Sequence, residues 1–209
     1  MNFRLTDAGR AGSRTPKERN DCTVRVLALA CNLSYDQAHQ LLAEHGRKWG
    51  RGFNLPDWFR HVGHVKTPDR LYLFRWRGFP SIKGRKRMTQ AQFARDYPSG
   101  SYIVSSPKHI ECWVDGVLHD DKPGRLDRCI YGAWEVLHCS PASPLWMVRG
   151  QRPGAPSAKR LGVVTAPSAA QALDKAVDWF GHLKTGPLSV ERMSPASPKG
   201  SAGGVANDD

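Results

Sequence analysis

The chain has 209 residues, 40% of them hydrophobic, which is enough for a folded domain with a real core and argues against a disordered chain. Lys and Arg number 31 against 19 Asp and Glu, and the net charge of +12 favours an acidic partner such as nucleic acid or an acidic protein. Five cysteines at irregular spacing, without a C-x-x-C pair, argue against both a disulfide framework and a zinc ribbon.

The N-terminal stretch, residues 1–19, is polar and lacks the apolar region of a signal peptide. No apolar run approaches the length needed to span a bilayer. Unpaired cysteines fit a reducing compartment, so we expect a cytoplasmic protein without a membrane partner. We expect residues 1–19 to form a flexible lead-in whose last residues line the functional site.

A polar turn, Asn20-Asp21, delivers Cys22 to the first turn of an apolar segment that runs to about residue 31. The apolar residues of this segment recur with the spacing of one helix face: Val24, Leu27, Ala28 and Cys31. A thiol at a helix N-terminus lies near unsatisfied N–H groups and the positive end of the helix dipole, and both favour the thiolate. Cys22 is therefore the candidate nucleophile.

Three further helices are predicted in the first half of the chain. Ser34 and Gln37 form a capping box that opens the first of them, and Gly46 ends it. Asn54 begins the second and Thr89 begins the third. Between the last two helices, the aromatic and aliphatic run at 71–76 predicts a strand.

Two loops carry the densest positive charge of the chain. The first, residues 47–52, is glycine-rich and contains Trp49, and we expect it to form the rim of a cleft. The second, residues 83–87, is expected to be a solvated loop. Basic residues beside an aromatic can also bind nucleic acid by stacking on bases. The candidate contacts with an acidic partner are Arg47, Lys48, Arg51, Lys83, Arg85, Lys86 and Arg87.

A strong two-residue turn signal, Asp115-Gly116, joins predicted strands at 109–114 and 117–120 into a hairpin. Strands at 101–105 and 128–137 complete an antiparallel sheet. Opposed residues share a face of a sheet and successive residues alternate between faces. One face of the hairpin therefore carries His109, Glu111 and Asp120.

A cysteine at a helix N-terminus, followed by a histidine and an acid on a later sheet, is the order in which a thiol hydrolase assembles its triad. In this order the chain resembles the compact papain-like cysteine peptidases, including the bacteriocin-leader-processing type. Residues 20–27 are similar to the D-G-x-C-x-x-R-A-L stretch of ovarian-tumour-type deubiquitinases. Residues 17–136 are similar in outline to small phage-encoded proteins with N-D-C-x-x-R-A-L, G-R-x-x-G-R-G, H-x-x-x-x-x-D-G-x-x-x-D and Y-G-x-W motifs.

The resemblance implies a triad with Cys22 as nucleophile, His109 as its base and an acid that orients the imidazole. Asp115, Asp120 and Asp121 all stay open as the third member, and Asp120 is preferred because it lies diagonally across the hairpin from His109. Asp121 falls on the other face unless the turn is one residue longer.

The oxyanion hole departs from the papain-like pattern, because no Gln lies a few residues before Cys22. Either the Asn20 side chain or backbone N–H groups alone would supply the donors. Arg25 matches the arginine of the deubiquitinase stretch, whereas Asn20 stands where that stretch has Gly.

The composition changes again at the Ser/Pro-rich linker 140–144. The segments that follow predict a small ββαβ module, for which substrate binding or recruitment is the expected role. The predicted organisation is a lead-in at 1–19, a hydrolase domain at 20–139, the module at 145–193 and a disordered tail at 194–209.

The sequence thus predicts an α+β papain-like fold, with N-terminal helices packed on an antiparallel sheet. The predicted activity is cysteine-dependent hydrolysis of an amide or isopeptide bond, and an acyltransferase would use the same triad with another acceptor. The alternative is a catalytically inactive papain-like scaffold that binds nucleic acid or a host protein through the basic loops. No cofactor or metal is expected, and the host cytoplasm is the expected location if the protein is phage-encoded.

Overall fold

The structure, a computed structural model, describes residues 2–84, 86–151, 153–181 and 186–194. Within these ranges the protein is a mixed α+β structure with five α-helices, one large mixed sheet and one small sheet, which confirms the α+β part of the prediction. No helix among these residues is long and apolar enough to cross a membrane. Arg85 and the predicted disordered tail from residue 195 lie outside the described residues.

The described residues form five α-helices. They are α1 (Cys22–Ala30), α2 (Tyr35–Glu44), α3 (Leu55–His61), α4 (Gln90–Asp96) and α5 (Ala169–Phe180). The side chain of the N-cap residue accepts a hydrogen bond from a backbone N–H of the first turn in four of them. These four N-caps are Ser34, Asn54, Thr89 and Ser168.

The large sheet has seven strands in the order β1-β6-β5-β4-β7-β3-β2. The strands are β1 (Asn2–Leu5), β2 (His64–Lys66), β3 (Leu71–Gly78), β4 (Ser101–Ser106), β5 (His109–Val114), β6 (Val117–Asp120) and β7 (Gly132–Cys139). The small sheet has the order β10-β8-β9. Its strands are β8 (Leu145–Gly150), β9 (Lys159–Thr165) and β10 (Leu188–Arg192).

The N-terminal segment differs from the loose lead-in that we expected before Asn20. β1 pairs in parallel with β6, so the large sheet is mixed and not wholly antiparallel. A 3-10 helix at Arg10–Gly12 follows, and the Thr6 backbone N–H donates to the Asp120 carbonyl at 2.8 Å. The strand escapes sequence analysis because it has only four residues, too few for the alternation of Phe3 and Leu5 to stand out, and most of them are exposed.

The β5–β6 hairpin forms in the predicted register. Asp115 and Gly116 both have positive φ, 47° and 73°, as the favoured two-residue hairpin turn requires. Val114 pairs with Val117, and Cys112 pairs with His119. This register places Asp120, at the end of β6, next to the start of β5.

The main core lies between α1 and the sheet. Val24 and Leu27 of α1 are fully buried and belong to the same cluster as Ile103 of β4 and Cys112 of β5. The cysteine helix is therefore fixed against the strands that carry the predicted histidine.

The predicted ββαβ unit is present, with α5 packed on its three strands. Its apolar cluster extends to Leu73 of the large sheet. At Gly63 a side-chain carbon would come within 2.8 Å of Val163, so a glycine is needed where α3 ends against β9. The unit is therefore packed directly against the large sheet.

Candidate active site

The structure brings together the three residues that the sequence predicts as a triad. Cys22 is the first residue of α1, His109 the first of β5 and Asp120 the last of β6. The Nε2 atom of His109 lies 2.5 Å from Oδ2 of Asp120. Cys22 is partly buried and lines the same cleft as His109. Asp120 engages Nε2, so Nδ1 is the ring nitrogen that this carboxylate leaves free.

The surroundings of His109 favour the imidazolium. Burial lowers the pKa of His109, but hydrogen bonds and charge interactions with Asp120 and Cys22 outweigh burial and raise it to about 9. Burial would raise the pKa of Asp120, yet its contacts with His109 and Arg25 lower it to about 2. At neutral pH the site therefore holds a protonated imidazole between a carboxylate and a thiol.

These shifts predict how stability depends on pH. The pKa of His109 rises from 6.5 to about 9 on folding, so its contribution is complete below pH 6.5 and is lost as the pH rises through 9. We expect the free energy of unfolding, measured by urea denaturation at several pH values, to fall over this interval. His109→Gln should flatten the decline, and an equally steep decline in that variant would contradict the assignment.

At the acidic end of the pH range, stability changes with pH in the opposite direction. The pKa of Asp120 falls from 3.8 to about 2, so its contribution is present above pH 3.8 and is lost as the pH falls through 2. For this pair of residues, the stability maximum is therefore expected between pH 3.8 and 6.5.

Arg25 connects the helix of the nucleophile to the acid of the triad. Its side chain is buried, with the residue only 4% exposed. Nη1 donates to Oδ1 of Asp120 at 2.6 Å, Nε donates to Asp21 at 3.2 Å, and Nη2 lies 3.1 Å from Asp121. One turn of α1 therefore presents both the thiol and the cation that holds Asp120.

Asp21 ties this cluster to the rest of the N-terminal half. It accepts a hydrogen bond from the Tyr35 hydroxyl at 2.9 Å and another from Arg10 at 3.1 Å. Burial and the neighbouring Asp21 charge raise the pKa of Tyr35, which keeps its hydroxyl protonated as a donor. The segment before α1, helix α2 and the hairpin are thus joined through one buried ionic network.

The three candidates for the acid of the triad have different hydrogen-bond partners. Asp115 lies in the hairpin turn and accepts a hydrogen bond from the Gly100 N–H at 2.9 Å. Asp121 contacts Arg25. Among the hydrogen bonds of the described residues, Asp120 is the acid that contacts His109.

Glu111 lies on the same face as His109, as the strand alternation predicts, and is fully buried. Donor atoms of His109, Glu111 and Asp120 lie within 4.8 Å of one another, a spacing that a metal ion could use. The Glu111 carboxylate is already bonded, however, to Gln90 at 2.7 Å and to Ser106 and Arg128 at 3.1 Å. These contacts favour a hydrogen-bonded support for the histidine strand over a metal centre.

Asn20 lies in the same cleft as Cys22, with a left-handed backbone at φ 56°. Its Nδ2 donates to the Gly50 carbonyl at 3.0 Å, which ties the segment before α1 to the glycine-rich loop. An amide nitrogen has two donors, so one N–H is committed to this contact. The role of Asn20 in an oxyanion hole stays a prediction.

The first basic loop differs from the expected row of exposed cations. The Arg47 side chain is fully buried and donates to Glu18 at 3.0 Å, so Arg47 is not available to an external partner. Glu18 also accepts from the Gly50 N–H at 2.6 Å. Burial of this pair orders the loop, while Lys48 and Arg51 stay exposed.

In the second basic loop, Lys83 and Lys86 are exposed as expected. Arg87 is half-buried and lies over the Tyr131 ring, 4.8 Å from its centroid. Arg85 lies outside the described residues.

Sequence reasoning assigned no role to Asp21, Tyr35 or Glu18, and it identified Arg25 only as a match to the arginine of the deubiquitinase stretch. The i, i+4 spacing of Asp21 and Arg25 is a signal that could have indicated their ion pair. No local pattern could have indicated that Arg25 reaches Asp120, which is 95 residues away in the chain.

The arrangement has the parts needed for nucleophilic acyl chemistry, because a thiol and an imidazole line the same cleft and one nitrogen of the imidazole is held by a carboxylate. An open cleft of about 680 Å³ lies above Cys22 and His109 and gives a substrate access to both. Comparisons with protein-family models, with curated proteins and with solved structures gave no match for this chain, so the geometry of this site carries the functional argument.

Proposed function

We propose that the protein is a cysteine-dependent hydrolase of papain-like architecture that cleaves an amide or isopeptide bond. The observation that carries the proposal is the placement of Cys22 in one cleft with His109, whose imidazole is held by Asp120. A helix that presents the thiol and packs on a sheet that presents the base and the acid is the papain-like arrangement. The resemblance in the order of the motifs supports the same architecture.

In the proposed mechanism, the Cys22 thiolate attacks the substrate carbonyl while His109 holds the proton taken from the thiol. A bond forms between Sγ and the carbonyl carbon, and the tetrahedral oxyanion collapses as His109 donates its proton to the leaving amine. Water, deprotonated by His109, then attacks the thioester and releases the acid. Asp120 keeps the imidazole in the orientation that both steps need.

The oxyanion is expected to form against the N-terminus of α1. The first N–H groups of a helix have no acceptor within the helix, and the N–H of Cys22 is one of them. Asn20 is the candidate side-chain donor. An acyltransferase would use the same thioester and replace water by another acceptor.

The test of the proposal is the rate at which iodoacetamide alkylates each cysteine at different pH values, read by mass spectrometry. Cys129 is exposed and serves as the internal reference. A free thiol with a pKa of about 8.5 is almost fully protonated at pH 6, so the reference should react slowly there. We expect Cys22 to react at least about tenfold faster than Cys129 at that pH.

His109→Ala should remove this advantage and leave the rate of Cys129 unchanged. If Cys22 reacts no faster than Cys129 and is insensitive to the substitution, the hydrolase proposal fails. The inactive scaffold with exposed basic loops would then be the better explanation.

A further inference from the structure

We propose that the site takes acidic peptides, with Asp or Glu side chains close to the scissile bond. This inference rests on the proposed hydrolase function and specifies its substrate class. It comes from the charged side chains around the cleft above Cys22. The acidic side chains are paired within the protein, whereas the cations at the rim are not.

The acidic side chains of the cleft are neutralised within the protein. Glu18 pairs with the buried Arg47, and Asp21 and Asp121 both contact Arg25. None of these three carboxylates is therefore left to bind a cationic substrate.

The cations at the rim of the cleft are exposed and have no such partners. They are Lys17, Arg19, Lys108 and Lys122. None of the four forms an ion pair with an acidic side chain in the described part of the chain. They come from three separate segments, so positive charge surrounds the nucleophile from several sides. A cleft with charges of one sign attracts ligands of the opposite sign.

Lys108 supports this reading through its backbone. It occupies the turn between β4 and β5 with a left-handed φ of 59°, directly before His109. Glycine or asparagine fits this backbone region with less strain than lysine. The chain thus places a long cationic side chain beside the candidate base at a position where glycine would be easier to accommodate.

An acidic peptide fits these observations better than nucleic acid does. Apart from His109, none of the residues that line the cleft has an aromatic ring on which a base could stack. The thiol at its floor also reacts with acyl carbons, which a peptide supplies. The rim cations would then bind carboxylates on either side of the bond that Cys22 attacks.

The experiment compares two alkylating reagents of similar size, anionic iodoacetate and neutral iodoacetamide, at Cys22. The ratio of the iodoacetate rate to the iodoacetamide rate reports the charge around Cys22 and does not require the protein to turn over a substrate. In the triple variant Lys17→Gln, Lys108→Gly, Lys122→Gln, we expect the ratio of the iodoacetate rate to the iodoacetamide rate to fall at least about threefold. A change in the thiolate fraction of Cys22 alters both rates equally and cancels in this ratio. High salt should lower the wild-type ratio in the same direction.

The matched control is the double variant Lys66→Gln, Lys159→Gln, which removes exposed lysines that do not line the cleft. Its ratio at Cys22 should equal that of the wild type. Lys108→Gly alone tests folding, because glycine is compatible with the left-handed backbone and should not lower the melting temperature.

Peptides with Glu, Gln or Lys at the positions flanking one cleavable bond then test selectivity through kcat/KM. We expect the Glu peptides to be cleaved best and the triple variant to lose this preference.

Cleavage without an acidic preference, or an unchanged reagent ratio in the triple variant, would overturn the inference and leave the hydrolase proposal intact. Protection of Cys22 by a short oligonucleotide but not by a Glu peptide would assign the cleft to nucleic acid instead. Ordinary reactivity of Cys22 and no cleavage of any peptide would overturn both proposals.

Discussion

Cys22→Ala is expected to abolish peptide cleavage, with kcat reduced at least about 10⁴-fold. The substitution removes the atom that forms the acyl intermediate, and no neighbouring side chain can take its place because the other residues that line the cleft include no thiol or hydroxyl group. The measurement is single-turnover and steady-state hydrolysis of the best peptide substrate.

The fold should be unaffected by this change. The Cys22 side chain is partly exposed, outside the buried ion pairs, and alanine is the best helix former. We therefore expect the free energy of unfolding to change by less than about 1 kcal/mol. Cys129→Ala is the matched control, since it removes an exposed thiol elsewhere and should keep full activity. Retention of a tenth or more of the activity in Cys22→Ala would contradict a covalent mechanism.

Arg25→Met is expected to lower the free energy of unfolding by about 3–5 kcal/mol. Methionine fills a similar volume, but it leaves Asp21 and Asp120 buried with one fewer cation between them. A buried charge that loses its partner costs far more than an exposed one. Urea denaturation at neutral pH measures the change.

The control for this prediction is Arg95→Met, which removes an arginine whose ion pair with Asp96 is exposed. Exposed pairs contribute about 1 kcal/mol or less, so this variant should be close to wild type. The loss in Arg25→Met should also become smaller at acidic pH, where Asp120, whose pKa in the wild type is lowered to about 2, begins to take up a proton. A change below about 1 kcal/mol at neutral pH would show that the cluster does not need its cation.

Local signals predicted much of the fold and of the site. The turn at 115–116 fixed the register of β5 and β6, and strand alternation then placed His109 and Asp120 on one face. Four helix starts followed from their N-caps. In each case, the interactions that decide the structure lie within a few residues of one another.

The parts that were missed depend on contacts between distant segments. β1 becomes a strand because it pairs with β6, more than 110 residues later, and its own four residues are too short a signal to predict it. Arg47 is buried because Glu18 faces it, whereas its local sequence resembles a solvated basic loop. Patterns within a single sequence do not encode such pairings. The sequence therefore could not show which charged residues are exposed and which are buried in ion pairs.

The late position of β6 in the chain also determines when the triad of the proposed hydrolase can assemble during biosynthesis. Strand β6 leaves the ribosome roughly a hundred residues after Cys22, and both the triad and the N-terminal strand wait for it. Contacts of such high sequence separation form late and slowly in folding. The nascent chain therefore carries its thiol without a base until most of the domain has been translated. Delayed assembly of this kind would protect the ribosome and the emerging chain from premature cleavage.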